Sequence, residues 1–138
     1  MVVHVKLRVK TVRGGRAREL VALANGGAHS PEPVLVVDEA TARELGVSGG
    51  EAVEAAVVNG RRRVYLVRNA VELTLIDGGE ELSRVRAHLV IHPGLEEPLI
   101  TDITIDELGI QVISFSKGLW RHREDPPDKV RESAVQEP

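Results

Sequence analysis

The chain has no cysteine, which excludes disulfide frameworks, thiolate nucleophiles and Cys-ligated zinc or iron–sulfur centres. Aromatic residues are confined to Tyr65, Phe115 and Trp120, so stacking platforms for nucleic-acid bases are missing. The formal charge is −3 with Arg and Glu interspersed, which gives no positive field to gather nucleic acid. No apolar run approaches the roughly 20 residues of a membrane helix, and Met1 to Lys6 lacks the apolar core of a signal peptide. The expectation is a cytoplasmic protein with neither membrane nor nucleic-acid partner and no cofactor. Asn occurs only at 25, 59 and 69 and Gln only at 111 and 136, while charged residues make up 28% of the chain. Few thermolabile residues and many charges suggest a thermophilic source, although codon bias toward Val, Arg, Ala and Gly would look the same.

What is abundant is valine, which favours strands. Val3, Val5, Leu7 and Val9 alternate with His4, Lys6, Arg8 and Lys10, the period-two pattern of a strand with one wet face. Gly14-Gly15 turns the chain, and residues 16 to 24 return as a second strand. Val34 to Val37 reads as strand, 38 to 45 as a short helix, and Val53 to Val58 as strand. Asn59-Gly60 before Arg61 to Val67 reads as a two-residue hairpin turn. Val71 to Leu75 and Val85 to Ile91 are further strands, separated by Asp77-Gly78-Gly79. A helix over 102 to 108 has Thr101 as N-cap and Gly109 as stop, and Ile110 to Phe115 reads as the last strand. Many short strands, glycine turns and two short helices predict an all-β, closed or nearly closed barrel. From Arg121 the composition shifts to nine charged residues and three prolines in eighteen, so residues 121–138 are expected to form a loose or disordered tail, dispensable beyond Asp125.

The segment Ala22-Leu23-Ala24-Asn25-Gly26-Gly27-Ala28 can be read as a plain hairpin, since Asn-Gly is a strong turn signal. It also has the form of an aspartic-peptidase active-site loop in which Asn25 replaces the acid, Gly26 the usual Thr, and Gly27-Ala28 the usual Gly-Ala. Two more landmarks follow in order. Val34 to Val37 leads into Asp38 to Val47 with a Leu45-Gly46-Val47 ending, and Leu99-Ile100-Thr101 leads into a helix ending in Leu108-Gly109-Ile110. The chain therefore resembles the retropepsin-like (retroviral-type) aspartic peptidases over roughly residues 1–120. That resemblance implies an acid-protease β-barrel and a homodimer in which each chain supplies one loop. It places a flap at the Asn59-Gly60 hairpin and a peptide-binding surface including Asn25, Gly27, Asn59, Gly60 and Thr101. Thr101 stands where the family has a glycine packed behind the catalytic loop.

An Asn amide has the carboxylate's shape but no proton to trade near neutral pH, so an intact catalytic dyad is not expected. The leading expectation is a non-catalytic homodimer that binds an extended peptide or serves in assembly. Two alternatives stand beside it: an active aspartic endopeptidase, through deamidation of Asn25-Gly26 or through Asp38 or Asp102, and a β-rich scaffold with no cleft function. Other chemistry finds little support. His88 and His92 lie four residues apart on a predicted strand, about 13 Å, too far to grip one metal ion. The serines lack a nucleophile-elbow context, and no phosphate-binding glycine loop is present.

Overall fold

A computed structural model of the chain describes residues 2–57 and 59–135. Strands β1 (His4–Thr11) and β2 (Ala17–Ala24) form the first hairpin, with Leu7 opposite Leu20. Val5, Leu7 and Val9 are fully buried while Lys6 and Lys10 face water, as the alternation predicts. The chain continues through β3 (Val34–Val37), helix α1 (Glu39–Glu44), β4 (Glu51–Val57), β5 (Gly60–Asp77), β6 (Glu80–Ile91) and β7 (Leu99–Ile100). Helix α2 (Asp102–Leu108) and strands β8 (Ile110–Ser114), β9 (Leu119–His122) and β10 (Arg131–Glu132) complete it.

The fold is mostly β with two short helices. Seven strands make one sheet in the order β1-β2-β7-β3-β6-β5-β4, and β1 pairs again with β5, so the sheet curls into a partial ring. Leu7, Leu35, Leu73, Leu75, Leu89, Ile100 and Leu108 fill its interior and are all fully buried. Burying side chains of this size contributes about 1.5–3 kcal/mol each, the main favourable term for such a sheet. A separate three-stranded sheet, β10-β9-β8, adds Ile110 and Trp120 to the same buried core.

The structure departs from the expected strand pattern in three places. First, the segments around Val64 to Val67 and Val71 to Leu75 belong to one 18-residue strand, β5. The polar break between them is a bulge. There the β5–β6 register shifts between Val67 and Val71, and Asn69 takes a left-handed φ of 50°. The buried ring of His88 holds it, accepting from the Asn69 N–H at 2.8 Å through Nδ1 and meeting Glu32 at 3.0 Å through Nε2. At this bulge β5 exchanges its partner, from β4 on the Gly60 side to β1 on the Asp77 side.

Second, Val57 pairs with Gly60, so the hairpin turn centres one residue earlier than Asn59-Gly60, and its residue 58 lies outside the described residues. By contrast Gly78-Gly79, with φ of 59° and 78°, makes the tight β5–β6 turn that the sequence predicts. Third, Ile110 to Ser114 is not the last strand, and the stretch after Arg121 does not hang free. Arg131, 7% exposed, pairs across to Trp120, and Ala134 N–H donates to the His4 carbonyl at 2.8 Å. Charge composition predicted a loose tail, but Arg131 of that segment pairs in place with Asp125 and with Asp77 of β5. The expectation for residues 136–138 lies outside the described residues.

Candidate functional site

Asn25 sits one residue past the end of β2. The parallel ladder of β2 on β7 pairs Ala24 with Ile100, and the Asn25 N–H extends it by donating to the Ile100 carbonyl at 3.1 Å. The loop then closes on itself. Ala28 N–H donates to the Asn25 carbonyl at 3.0 Å, and Gly27 N–H donates to Asn25 Oδ1 at 3.0 Å. Such a side-chain-to-backbone bond is why Asn or Asp suits the first position of a turn. Ala28 returns its carbonyl to the Asp102 N–H at 2.8 Å, so the loop is anchored at both ends to β7 and the start of α2.

Gly26 and Gly27 are exposed, and neither has a left-handed φ. A Cβ at Gly26 would meet nothing within 4 Å, and one at Gly27 only Asn25 Oδ1 at 3.3 Å. Within one chain, then, neither a left-handed dihedral nor a contact requires glycine at position 26, whereas a Cβ on Gly27 would crowd the Asn25 Oδ1 that closes the loop.

Behind the loop, β3 with α1 and β7 with α2 form two like units that meet antiparallel, with Leu35 opposite Ile100 and Val36 opposite Leu99. Asp38 caps α1, accepting from the Thr41 N–H at 2.9 Å. These Thr41 bonds hold its carboxyl below the usual carboxylate range. Thr101 occupies the N-cap position of α2, but its side chain makes no cap bond. Asp102 takes over, accepting from Ile103 N–H at 2.7 Å and Ser30 N–H at 3.3 Å. His29 lies 3.0 Å from Asp102, and this bond first, with those backbone donors, lowers the Asp102 pKa. Both carboxylates, the alternative candidates for a catalytic acid, are thus committed to helix starts and held ionised. That is the opposite of an acid sharing a proton in a dyad.

The Thr101 hydroxyl belongs to a chain of hydroxyls. Val34 N–H donates to Thr104 Oγ1 at 2.9 Å, Thr104 lies 2.8 Å from Thr101, Thr101 2.6 Å from Ser30, and Ser30 donates to the Glu32 carbonyl at 2.7 Å. The Thr104 hydroxyl also reaches the Val34 carbonyl at 3.2 Å, so its one proton is shared between that carbonyl and Thr101, and every hydroxyl of the chain has a donor and an acceptor within reach. Thr101, at 4% exposure and φ −86°, is ordinary extended backbone that needs no glycine. Replacing Thr104 with Val leaves the Val34 N–H buried without a partner. The expected loss is about 1–3 kcal/mol of unfolding free energy by urea denaturation, with Thr104→Ser close to wild type. Equal stability of the Val and Ser variants would show that the chain of hydroxyls is not satisfied as described.

Of the residues singled out from sequence, Asn25, Gly26, Gly27, Ala28 and Thr101 lie together around the β2–β7 junction. Asn59 and Gly60 lie at the tip of the β4–β5 hairpin, exposed and apart from them along the chain's connectivity. Sequence reasoning did not find Ser30, Thr104 or the His29–Asp102 contact. The spacing of Thr101 and Thr104 within one helical turn was a signal for the first link, whereas Ser30 meets Thr101 across 71 positions. Among the described residues no group of three His, Asp or Glu side chains is arranged to hold a metal ion, and no helix is long and apolar enough to cross a membrane. Scanned against known protein families the chain matches no family model, and compared with curated proteins it matches none.

Proposed function

We propose that the chain is a degenerate retropepsin-like β-barrel that forms a homodimer through the Asn25-Gly26-Gly27-Ala28 loop, does not cleave peptides, and binds an extended peptide or serves in assembly. The observation that carries this reading is the loop itself. It is anchored at both ends by backbone bonds, exposed at its tip, and built with a glycine, Gly26, for which the single chain has no use. Glycine there leaves room for a second backbone to approach, as an isologous pairing about a two-fold axis requires. The two matched strand–helix units behind the loop support the reading, because they form a symmetric frame beneath a short turn. The partial ring of strands is then the acid-protease barrel, and the β4–β5 hairpin its flap.

Loss of catalysis follows from chemistry. Two amides cannot share and pass the proton that activates water. Light scattering of the purified chain is expected to give a dimer at micromolar concentration, and peptide substrates should remain uncut from acidic to neutral pH. Pepstatin-sensitive cleavage by protein whose intact mass shows an undeamidated Asn25 would contradict the proposal.

The substitution Asn25→Asp examines the same site by titration. Two carboxylates brought together cannot both ionise freely, so one pKa rises in the folded dimer. A raised folded-state pKa means the dimer holds a proton that the unfolded chain releases. Its stabilising effect is therefore complete below the ordinary carboxylate value, about 4, and is lost as pH climbs through the raised one. The dimer of the variant should weaken between pH 4 and 8 while wild type does not, as read by dissociation on dilution. Catalytic rescue should be weak, since Gly26 lacks the hydroxyl that Thr supplies in active relatives of this type.

A further inference from the structure

The chain contains two Asn-Gly pairs, Asn25-Gly26 and Asn59-Gly60, and its remaining asparagine, Asn69, precedes an alanine. An asparagine side chain can lose its amide without an enzyme. The backbone nitrogen of the next residue attacks the amide carbon and forms a C–N bond, ammonia leaves with that nitrogen's proton, and water opens the resulting succinimide to aspartate or isoaspartate. Glycine in second place favours ring closure, because it has no Cβ to obstruct the approach and its backbone turns freely. The two pairs are thus alike in sequence and differ in what the fold does to them.

At residue 25 the fold holds every group that must move. The Asn25 N–H donates to the Ile100 carbonyl at 3.1 Å, its carbonyl accepts from Ala28 N–H at 3.0 Å, and its Oδ1 accepts from Gly27 N–H at 3.0 Å. Bringing the amide carbon onto the Gly26 nitrogen turns the side chain out of that last bond and the backbone out of its turn. Asn59 is held by no such bond. It is exposed with Gly60 at the tip of the β4–β5 hairpin, its amide has no partner among the described residues, and no atom lies within 4 Å of where a Cβ on Gly60 would stand. Asn69 is exposed too, but its N–H is held by His88, and Ala70 carries a methyl beside the nitrogen that would attack.

We propose that Asn59 is the position at which the folded chain deamidates, while the turn around Asn25 preserves its own amide. The product is a new carboxylate next to Arg61, Arg62 and Arg63 or, as isoaspartate, an extra methylene in the backbone of the hairpin turn. Residue 25 gains no acid as long as the chain stays folded. The inference concerns a single chain and stands apart from the homodimer and the peptide proposed above. It is tested by keeping the full purified chain in mildly alkaline buffer, folded or in enough guanidinium to unfold it, and mapping tryptic peptides over time. Residues 19–43 carry Asn25, 44–61 carry Asn59 and 69–84 carry Asn69. Deamidation is read as the mass gained when NH2 becomes OH, and isoaspartate by methylation with an isoaspartyl methyltransferase. In the folded chain Asn59 should convert about tenfold or more faster than Asn25, the rate equivalent of one hydrogen bond that must break, and in the unfolded chain the two should convert alike. Asn59→Gln should leave the folded chain unmodified over the same period. Conversion of Asn25 as fast as Asn59 in the folded chain overturns the protection of Asn25. A folded chain whose Asn59 stays intact over the time in which the unfolded chain converts it overturns the assignment of Asn59.

Discussion

Replacing Arg131 with Ala should lower the unfolding free energy by about 3–5 kcal/mol, a large share of the stability of any single domain. Arg131 is held on three sides. Its Nε and one terminal nitrogen donate to the two oxygens of Asp125 at 2.8 and 2.6 Å, the other terminal nitrogen donates to Asp77 at 2.8 Å, and the guanidinium lies 5.8 Å from the Trp120 ring centre. The Arg131 and Asp125 side chains are only 6% and 8% exposed, so removing the cation strands Asp125 in a place water barely reaches. The same contacts tie residues 125–134 to β5 and β9 and bring Ser133 and Ala134 against His4. Deletion beyond Asp125, which composition alone would allow, should therefore be as harmful as the point substitution. Arg131→Lys keeps the charge but not the fork, and should fall between. A loss below about 1 kcal/mol by urea denaturation, the level of an exposed ion pair, would show that this cluster does not hold the C-terminal segment.

The cluster also sets a pH dependence with a definite sign. Hydrogen bonds from Arg131 hold the Asp125 carboxyl far below the usual range, and Asp102 and Asp38 are lowered by their own partners. A depressed folded-state pKa contributes stability above the unfolded value, about 4, and that contribution disappears as pH falls through the folded one. Acid should therefore destabilise the chain progressively below about pH 4. Asp125→Asn should be less stable at neutral pH and should show a flatter acid limb. An unaltered acid limb in that variant would mean Asp125 does not contribute to it.

Leu35→Ala is the second large effect, with an expected loss of about 2–5 kcal/mol. Leu35 is fully buried on β3, between Leu89 of β6 and Ile100 of β7, so its side chain lies where the two strand–helix units and the rest of the ring meet. Truncation leaves a cavity where β3 meets β6 and β7, and a backbone fixed on both edges has little freedom to collapse into it. Leu35→Met, which conserves volume, should cost less than about 1.5 kcal/mol. Comparable stability of the Ala and Met variants would contradict the placement of Leu35 at the centre of the core.

Where residues near in sequence determine the structure, the sequence was readable. The alternation from Val3 to Val9, the stop at Gly109 and the Gly78-Gly79 turn each depend on local backbone preference, and each is present in the structure. Gly109, with φ 78°, is required twice over, since a Cβ there would come within 2.9 Å of His122 Nε2. The bulge in β5 was not readable, because Arg68-Asn69 resembles a turn until His88 and Glu32 are brought to it from other strands. The C-terminal segment was misread for a related reason. Counting charges does not reveal that Arg131 will meet an aspartate 54 positions away. At the candidate site the turn from Asn25 to Ala28 was legible from Asn25-Gly26, while the hydroxyl chain through Ser30, Thr101 and Thr104 depends on contacts that span about half the chain.

The central claim is that two Asn25 loops meet across a two-fold axis, and a chain with no cysteine offers a clean way to measure it. Asn25→Cys supplies a single thiol, and a disulfide needs Cα atoms within about 7 Å. Mild oxidation should convert this variant to a covalent dimer on a non-reducing gel, while a Ser116→Cys control in an exposed turn should remain uncrosslinked. A wild-type chain that is monomeric at micromolar concentration, or a dimer whose Asn25→Cys form stays uncrosslinked, would contradict the proposal.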